Sequence, residues 1–193
     1  MVTTKIERKV LSGHRLSTDD ALSLFQSDDI FTIGRLANII AGQKNGNNAY
    51  FIQNRHINPT NICVNRCKFC AFSRSKGEKG AYELSIKEII SKLGAKAQRH
   101  KGTEGFTEVH VVGGLHPDWQ FDFYLEMLRQ IKKALPHIHI KAFTAVEIDY
   151  FSKISGLSLA DILMALKNSG LDSMPGGGAE IFDARVRNKI CPE

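Results

Sequence analysis

The chain alternates between segments with helical spacing of apolar residues and short segments with strand-like alternation. Capping residues at Ser17–Asp20 and Ser27–Asp29 open two amphipathic segments, which predict two helices before residue 48. From residue 50 onward, predicted strands and helices take turns. The predicted strands are residues 50–57, 108–114, 137–143 and 171–174, and the predicted helices are residues 85–93, 121–134, 158–169 and 183–190.

This alternation predicts an α/β protein with a parallel sheet. Unusual residues follow each predicted strand, namely cysteines, Gly113–Gly114, Thr144–Glu147 and Pro175–Gly178. In a β/α barrel the loops after the strands build the active site, so the pattern predicts a partial TIM-type (β/α) barrel. We expect about four βα units in residues 49–193, preceded by an N-terminal helical segment in residues 1–48. Because four parallel strands would leave an open edge, we expect an N-terminal fragment of a longer protein.

Composition and charge exclude several classes of protein. The net charge of +6 is scattered, without the basic stripe and interleaved aromatics of a nucleic-acid surface, so it indicates a solvated surface or steering of an anionic substrate. The sequence has no apolar run of about 18 residues, so we expect no membrane span. The charged N-terminal residues do not resemble a signal peptide, and we expect a cytoplasmic protein whose four cysteines are reduced.

The cysteines carry the strongest chemical signal. Cys63, Cys67 and Cys70 form a C-x3-C-x2-C motif directly after the first predicted strand. Three thiolates in a short loop suit zinc or an iron–sulfur cluster. Zinc would need a fourth ligand, for which His56 is near, and an electron-transfer cluster would need a fourth cysteine, for which Cys191 is available. The third interpretation is a [4Fe–4S] cluster whose fourth iron is open for a ligand.

The glycines after the second predicted strand and the following loop are candidates for ligand contacts. Gly113 and Gly114 permit a close backbone approach to a ligand, or a tight turn that needs glycine for steric reasons. In the next loop, His116 is a candidate base or hydrogen-bond donor and Asp118 a candidate acceptor, with Trp119 as an anchor. A plain surface loop is the alternative for these three residues.

Two further candidates follow the later strands. Thr144 and Glu147 would face the ligand cavity of a barrel, where a carboxylate binds ribose hydroxyls, but Thr-x-x-Glu also fits a helix cap. Glu180 leaves a glycine-rich loop and is a candidate polar contact. The histidines at 110, 137 and 139 lie in strand patterns and are interpreted as structural.

These motifs resemble the radical SAM superfamily, in which C-x3-C-x2-C has an aromatic residue, here Phe69, before its last cysteine. The resemblance implies that Cys63, Cys67 and Cys70 hold a [4Fe–4S] cluster and that its open iron binds S-adenosylmethionine (SAM). In that family one electron cleaves SAM to a 5′-deoxyadenosyl radical. The resemblance also implies SAM contacts at Phe69, Gly113 and Gly114, although Leu115 replaces the glutamate of the usual Gly-Gly-Glu motif, and we expect further cofactor contacts at Thr144 and Glu147.

Within the superfamily the chain is most similar to the radical SAM enzymes of the menaquinone (futalosine) pathway, the aminofutalosine synthases. The resembling stretches are residues 58–70, 113–119, 139–148 and 172–180. The resemblance implies a transferase that adds the radical to the alkene of 3-[(1-carboxyvinyl)oxy]benzoate and forms 6-amino-6-deoxyfutalosine with loss of bicarbonate. Its partners would be this small anionic aromatic substrate and a one-electron reductant of the flavodoxin or ferredoxin type. The alternatives are a dehypoxanthine futalosine cyclase-like enzyme and an inactive iron–sulfur-binding fragment.

Overall fold

In the computed structural model, which describes residues 4–94, 105–177 and 181–191, the chain divides into two compact units, Met1–Phe51 and Ile52–Glu193. The first unit holds three helices, α1 (Thr4–Leu11), α2 (Thr18–Phe25) and α3 (Ile30–Asn45). Its small core consists of Ile6, Val10 and Leu36. The two helices predicted from Ser17 and Asp29 are confirmed, whereas α1 was not predicted.

Side-chain caps explain where α2 and α3 begin. The Ser17 hydroxyl accepts the Asp20 N–H, while the Asp20 carboxylate accepts the Ser17 N–H at 2.8 Å, so both halves of a capping box are formed. The Asp29 carboxylate accepts the Thr32 N–H at 3.1 Å. Lys9 pairs with the Asp20 carboxylate and lowers its pKa to about 2.

The second unit is built on a parallel sheet. Strands β1 (Asn54–Ile57), β2 (Glu108–Val111) and β3 (His139–Ala142) lie in the order β1-β2-β3. The helices that alternate with them are α4 (Ile86–Leu93), α5 (Phe121–Ala134), α6 (Ala145–Ser155), α7 (Leu159–Asn168) and α8 (Ala184–Ile190). The predicted α/β class is therefore confirmed. No helix among the described residues is long and apolar enough to cross a bilayer.

The two faces of this sheet differ in polarity. Val109, Val111, Ile140 and Ala142 are fully buried and join the core formed with the helices. Because side chains alternate along a strand, the intervening residues lie on the opposite face. That face carries His56, His110 and Lys141, which are partners in the parallel register.

The predicted fourth strand, residues 171–174, is wrong in extent. Its pairing is reduced to one parallel bridge between Ser173 and Lys141. The Asp172 carboxylate accepts the Ile140 N–H at 2.7 Å, so a side chain takes the place of a strand carbonyl. The N–H groups of Asp172 and Ser173 both donate to the Ile140 carbonyl, which interrupts the regular ladder. The other three strands are confirmed, in shorter form than predicted.

Phe143, directly after β3, adopts a conformation that is rare for residues other than glycine. Its φ is +63°, at a cost of about 1–3 kcal/mol. Continued alternation would place its ring on the face of Lys141. Instead the ring is 1% exposed and packs edge-on against Phe151 at 5.0 Å between centroids. The strained backbone thus moves an aromatic ring from the polar face into the core.

Candidate functional site

The cysteine loop follows β1 and is tied to other segments by backbone hydrogen bonds. The Cys63 N–H donates to the Arg74 carbonyl at 3.1 Å, and the Val64 N–H donates to the Leu115 carbonyl at 3.0 Å. At the far side of the loop, the Lys68 N–H donates to Ile190, the last residue of α8, at 2.7 Å. The loop is therefore positioned by the β2 exit and by α8 as well as by its own sequence.

The three thiols are half-buried, and a turn closes the second half of the motif, where the Cys70 N–H donates to the Cys67 carbonyl at 3.0 Å. Among the described residues, no three His, Cys, Asp or Glu side chains converge closely enough to hold one metal ion. Each cysteine of a [4Fe–4S] cluster ligates a different iron atom, and three half-buried thiols in one braced loop fit this mode of ligation.

Buried polar residues before Cys63 brace this loop, and they were not among the predicted site residues. The Asn61 side chain donates to the Gly80 carbonyl at 2.9 Å and accepts the Tyr82 N–H at 2.8 Å. The Thr60 hydroxyl donates to the Tyr82 carbonyl at 2.7 Å. Both side chains are buried and hydrogen-bonded. Their position directly before the cysteine motif is the sequence signal that could have predicted a role in holding the loop.

A second brace lies beyond Cys70. Glu78 accepts the Ser75 N–H at 2.7 Å and Arg66, inside the cysteine loop, at 3.1 Å. The bond from Ser75, followed by the charge of Arg66, lowers the pKa of Glu78. Arg74 also lies 3.9 Å from this carboxylate. The basic group at residues 74–79 is thus partly neutralised by its own glutamate.

The two glycines at the exit of β2 are required by close backbone approach. A β-carbon at Gly114 would lie 2.7 Å from the carbonyl carbon of Ile62, the residue before Cys63. At Gly113 it would lie 3.2 Å from Pro59 and from the Thr60 carbonyl. The structure therefore shows the tight-packing alternative for both glycines, and their contact with a cofactor stays a prediction.

Thr144 and Glu147 form the capping box of α6, which is the alternative that the sequence left open. Glu147 accepts the Thr144 N–H at 2.7 Å, and its other oxygen accepts the Gly113 N–H at 3.3 Å. Glu147 is 5% exposed, and burial raises the pKa of its carboxyl to about 7, against the opposing effect of the bonds from Thr144 and Gly113. This carboxyl links the exit of β2 to the start of α6.

His116 is buried, and its two ring nitrogens have defined neighbours. Nδ1 accepts the Asp118 N–H at 3.2 Å, which assigns the ring hydrogen to Nε2, and Nε2 lies 2.6 Å from a Glu83 carboxylate oxygen. The ring stacks on Trp119 with 4.5 Å between centroids. At 1% exposure, His116 is placed to hold this loop in shape.

Two of the remaining predicted contacts, Asp118 and Phe69, are exposed. Asp118 is exposed and pairs with Lys76, which lowers the pKa of the Asp118 carboxyl. Phe69 is 54% exposed beside Cys70. Glu180 lies outside the described residues, and Cys191 is fully buried.

A cavity of about 640 Å³ adjoins the cysteine loop. Its wall includes Val64 and Asn65 from the loop, Leu115 after β2, Tyr150 of α6 and Arg187 of α8. The Tyr150 hydroxyl donates to the His116 carbonyl at 2.9 Å, which joins this wall to the histidine loop, defined as residues 115–119. The cavity lies at the carboxyl ends of the strands, where β/α proteins bind their ligands.

A parallel β/α sheet with a three-thiol loop at the carboxyl end of its first strand defines a cluster-binding β/α protein. Residues 57–193 match the family model of the radical SAM superfamily, and the chain belongs to that superfamily. Its members bind a [4Fe–4S] cluster and SAM, and the chemistry and accessibility of the three thiols fit this cofactor pair.

Curated relatives agree with this family. Over 186 residues the chain is 47% identical to an aminodeoxyfutalosine synthase from Streptomyces coelicolor and 44% identical to one from Thermus thermophilus, covering 96% of the chain each time. Over 148 residues, 77% of the chain, it is 44% identical to a 5-amino-6-(D-ribitylamino)uracil–L-tyrosine 4-hydroxyphenyl transferase from Methanopyrus kandleri. The chain spans 47%, 49% and 39% of these relatives, about half their length or less.

Solved structures support the fold. The hydrogenase maturase HydG superposes with a TM-score of 0.73 at 16% identity, over 98% of this chain and 39% of that one. The methylornithine synthase PylB gives 0.56 at 19% identity, over 89% and 58%. The predicted partial β/α barrel is consistent with these neighbours.

Proposed function

We propose that this chain belongs to an aminofutalosine synthase, a radical SAM transferase of menaquinone biosynthesis. The enzyme joins the 5′-deoxyadenosyl group of SAM to the alkene of 3-[(1-carboxyvinyl)oxy]benzoate, consumes water, releases methionine and bicarbonate, and forms 6-amino-6-deoxyfutalosine. The observation that carries the proposal is the cysteine loop, braced at the carboxyl end of β1 within a stretch similar to two such synthases.

In this proposal Cys63, Cys67 and Cys70 hold the cluster. Once bound and reduced, the cluster would supply the electron that cleaves SAM to a carbon-centred adenosyl radical. The bonds from Cys63, Val64 and Lys68 fix the loop backbone before any cofactor binds, which lowers the ordering cost of binding. The electron would come from a flavodoxin- or ferredoxin-type reductant.

The remaining predicted cofactor contacts stay part of the proposal. Phe69 presents an exposed ring beside the last cysteine, and the Gly113–Gly114 backbone lies against the entry to the loop. Glu147 binds the Gly113 N–H, so Thr144 and Glu147 would act on SAM through the position of this backbone.

The substrate would enter through the cavity, which the histidine loop and α6 line on one side. His116 is a positioning residue in this proposal, because its ring is buried among Trp119, Glu83 and Asp118. Asp118 and Glu180 remain proposed substrate contacts.

Two other enzyme activities share the same chemistry up to the radical. A cyclase-like enzyme would use the radical to abstract hydrogen. The match to the 4-hydroxyphenyl transferase favours, as a second candidate, transfer of a tyrosine-derived group. An inactive iron–sulfur-binding protein is the third alternative.

Product analysis with SAM labelled in the adenosyl group separates these activities. The purified protein, reconstituted anaerobically and given a chemical reductant, is mixed in separate reactions with the carboxyvinyl ether, with dehypoxanthine futalosine, or with tyrosine and 5-amino-6-(D-ribitylamino)uracil. Label covalently bound in the product supports the synthase. Free labelled 5′-deoxyadenosine in amounts equal to turnover indicates the cyclase, and turnover that requires tyrosine indicates the hydroxyphenyl transferase.

A matched pair of cysteine variants tests the site itself. Cys63→Ala is expected to lose the cluster's visible absorbance and its SAM-dependent EPR signal. Cys191→Ala removes a thiol that is fully buried after α8 and is expected to keep both signals. Loss of the cluster in Cys191→Ala alone would reject the proposed ligand set.

A further inference from the structure

The polar face of the sheet carries a row of three side chains that the cysteine site does not use. His56, His110 and Lys141 are register partners on β1, β2 and β3, and Ser173 extends the row by its bridge to Lys141. The row lies on the face opposite the helical core, near the strand ends that lead into the cysteine loop. Polar side chains in line across three strands form a surface that a flat ligand can contact along its length.

The two histidines are held in a fixed arrangement. Their rings are stacked with 4.9 Å between centroids and an interplanar angle of 7°. Asn58 lies 3.4 Å from the His56 Nε2 and donates to the Val112 carbonyl at 2.7 Å. Nε2 of His110 is buried and makes no hydrogen bond with any residue in the described parts of the chain. A buried ring nitrogen without a partner is costly unless a ligand satisfies it.

Lys141 supplies a positive charge beside this nitrogen. Its side chain is half-buried, and no carboxylate within residues 4–94, 105–177 or 181–191 forms an ion pair with it. Lys132 of α5, in contrast, pairs with Asp172 at 2.7 Å. Burial lowers the pKa of His110, and the charges of His56 and Lys141 add to this effect, whereas the charge of Glu108 opposes it.

The side chain of Phe143, which regular alternation would place next to Lys141 on the polar face, does not lie on that face. The positive φ of Phe143 moves its ring to Phe151 and Tyr124 in the core. His139, two residues before Lys141, forms a hydrogen bond between its Nε2 and the Ser173 hydroxyl at 2.7 Å, so its ring is held toward Ser173. Glu108 is the acidic group on this face, one level further from the strand ends than His110.

We infer that His56, His110 and Lys141 form a carboxylate-binding subsite for an aromatic acid. The Lys141 ammonium group binds the carboxylate, the His110 Nε2–H donates a hydrogen bond to it, and the stacked rings contact the face of the aromatic ring. The inference rests on the proposed function for the identity of the acid, whose two carboxylates need cationic partners. It changes the role of His110, which the sequence pattern had indicated as structural.

Equilibrium binding of benzene-1,3-dicarboxylate to the purified holoprotein, without reductant, tests this subsite independently of turnover. Lys141→Met keeps the apolar stem and removes the charge, and we expect its Kd to rise by about 10- to 100-fold. Lys141→Arg keeps the charge and should stay within about threefold of the parent protein. Lys133→Met, on the exposed side of α5, is the matched control and should not change the Kd.

His110→Phe separates a binding role from a structural one. It removes the unpartnered nitrogen but keeps the stacked ring, so the melting temperature should stay equal or rise while the Kd for the dicarboxylate increases by about three- to thirtyfold. A lower melting temperature with unchanged binding would instead identify His110 as a structural residue.

The uncharged diamide of the same ring, benzene-1,3-dicarboxamide, tests whether binding depends on the charge of the ligand. Its weak binding should be equal in the parent protein and in Lys141→Met. The inference is overturned if the dicarboxylate does not bind the parent protein, if Lys141→Met binds it equally well, or if the variant loses affinity for SAM instead. If the dicarboxylate depends on Lys141 but the carboxyvinyl ether gives no product, the subsite stands and the proposed function fails.

Discussion

Replacing Gly114 by alanine perturbs the cysteine loop through a single added carbon. The new β-carbon would lie 2.7 Å from the carbonyl carbon of Ile62, which directly precedes Cys63. Gly114 also donates its N–H to the Thr60 carbonyl at 2.9 Å, so its own backbone is held on the same segment. The added carbon cannot rotate away, and either the β2 exit or the entry to the loop must move.

The size of the displacement follows from ordinary contact distances. Carbon atoms pack at about 3.5–4.0 Å, so the two segments must separate by roughly 0.8 Å or more. Overpacking of this kind costs about 1–3 kcal/mol, which corresponds to a fall of roughly 2–12 °C in melting temperature for a domain of this size. We expect the displaced loop to hold its cluster poorly as well.

Three glycine variants form a graded series for measurement. Iron and sulfide content and thermal unfolding are measured after anaerobic reconstitution. Gly113→Ala, with contacts at 3.2 Å, should have a smaller effect than Gly114→Ala. Gly34→Ala in α3 meets nothing within 4 Å and should be neutral or stabilising by up to about 1 kcal/mol.

A core variant separates loop displacement from general instability. Ile162→Ala in α7, at a fully buried position, should cost about 2–5 kcal/mol yet keep its iron below its melting temperature. If Gly114→Ala keeps its full iron content, or if Ile162→Ala loses as much iron as Gly114→Ala does, the link between this contact and the cluster is refuted.

Two further predictions concern charged groups near the site. Because the pKa of Glu147 is raised from 4.5 to about 7, the folded state binds the extra proton between these values, and the unfolding free energy falls as pH rises through them, by about 3 kcal/mol in total. Glu147→Gln, which can still form a capping box, should flatten this slope in urea titrations between pH 5 and pH 8, whereas an unchanged slope would assign it to other groups. Lys76→Met removes an exposed ion pair with Asp118 and should leave the unfolding free energy unchanged within error in urea titrations, because solvent screens the pair, and a clear loss of stability would contradict this reasoning.

Local patterns predicted most elements of this fold, although the helices α1 and α6 were missed. Ser85 and Glu88 form the expected capping box of α4, and the apolar stripe of α5 lies in the core. The fourth strand was over-predicted because its pairing depends on Asp172, whose carboxylate takes the backbone donor of Ile140. A side chain that competes with a carbonyl partner leaves no periodic signal in the sequence.

The site was predicted only as far as short-range spacing allows. The motif of Cys63, Cys67 and Cys70 is contained in eight residues, so its chemistry is evident from the sequence. The stacking of His56 on His110 depends on register between strands that are far apart in the chain, and no local pattern encodes that register. Glu147 shows the same limit, because its bond to Gly113 connects two loops.

The bond between Lys68 and Ile190 has a consequence for how the protein is made. Translation proceeds at about 5–20 residues per second, and Ile190 follows Lys68 by about 120 residues, so the ribosome needs roughly 6–24 seconds to supply the partner. During this interval the thiols of the nascent chain lack the segment that completes their loop. We therefore expect the cysteine loop to reach its final backbone arrangement only after α8 has been synthesised.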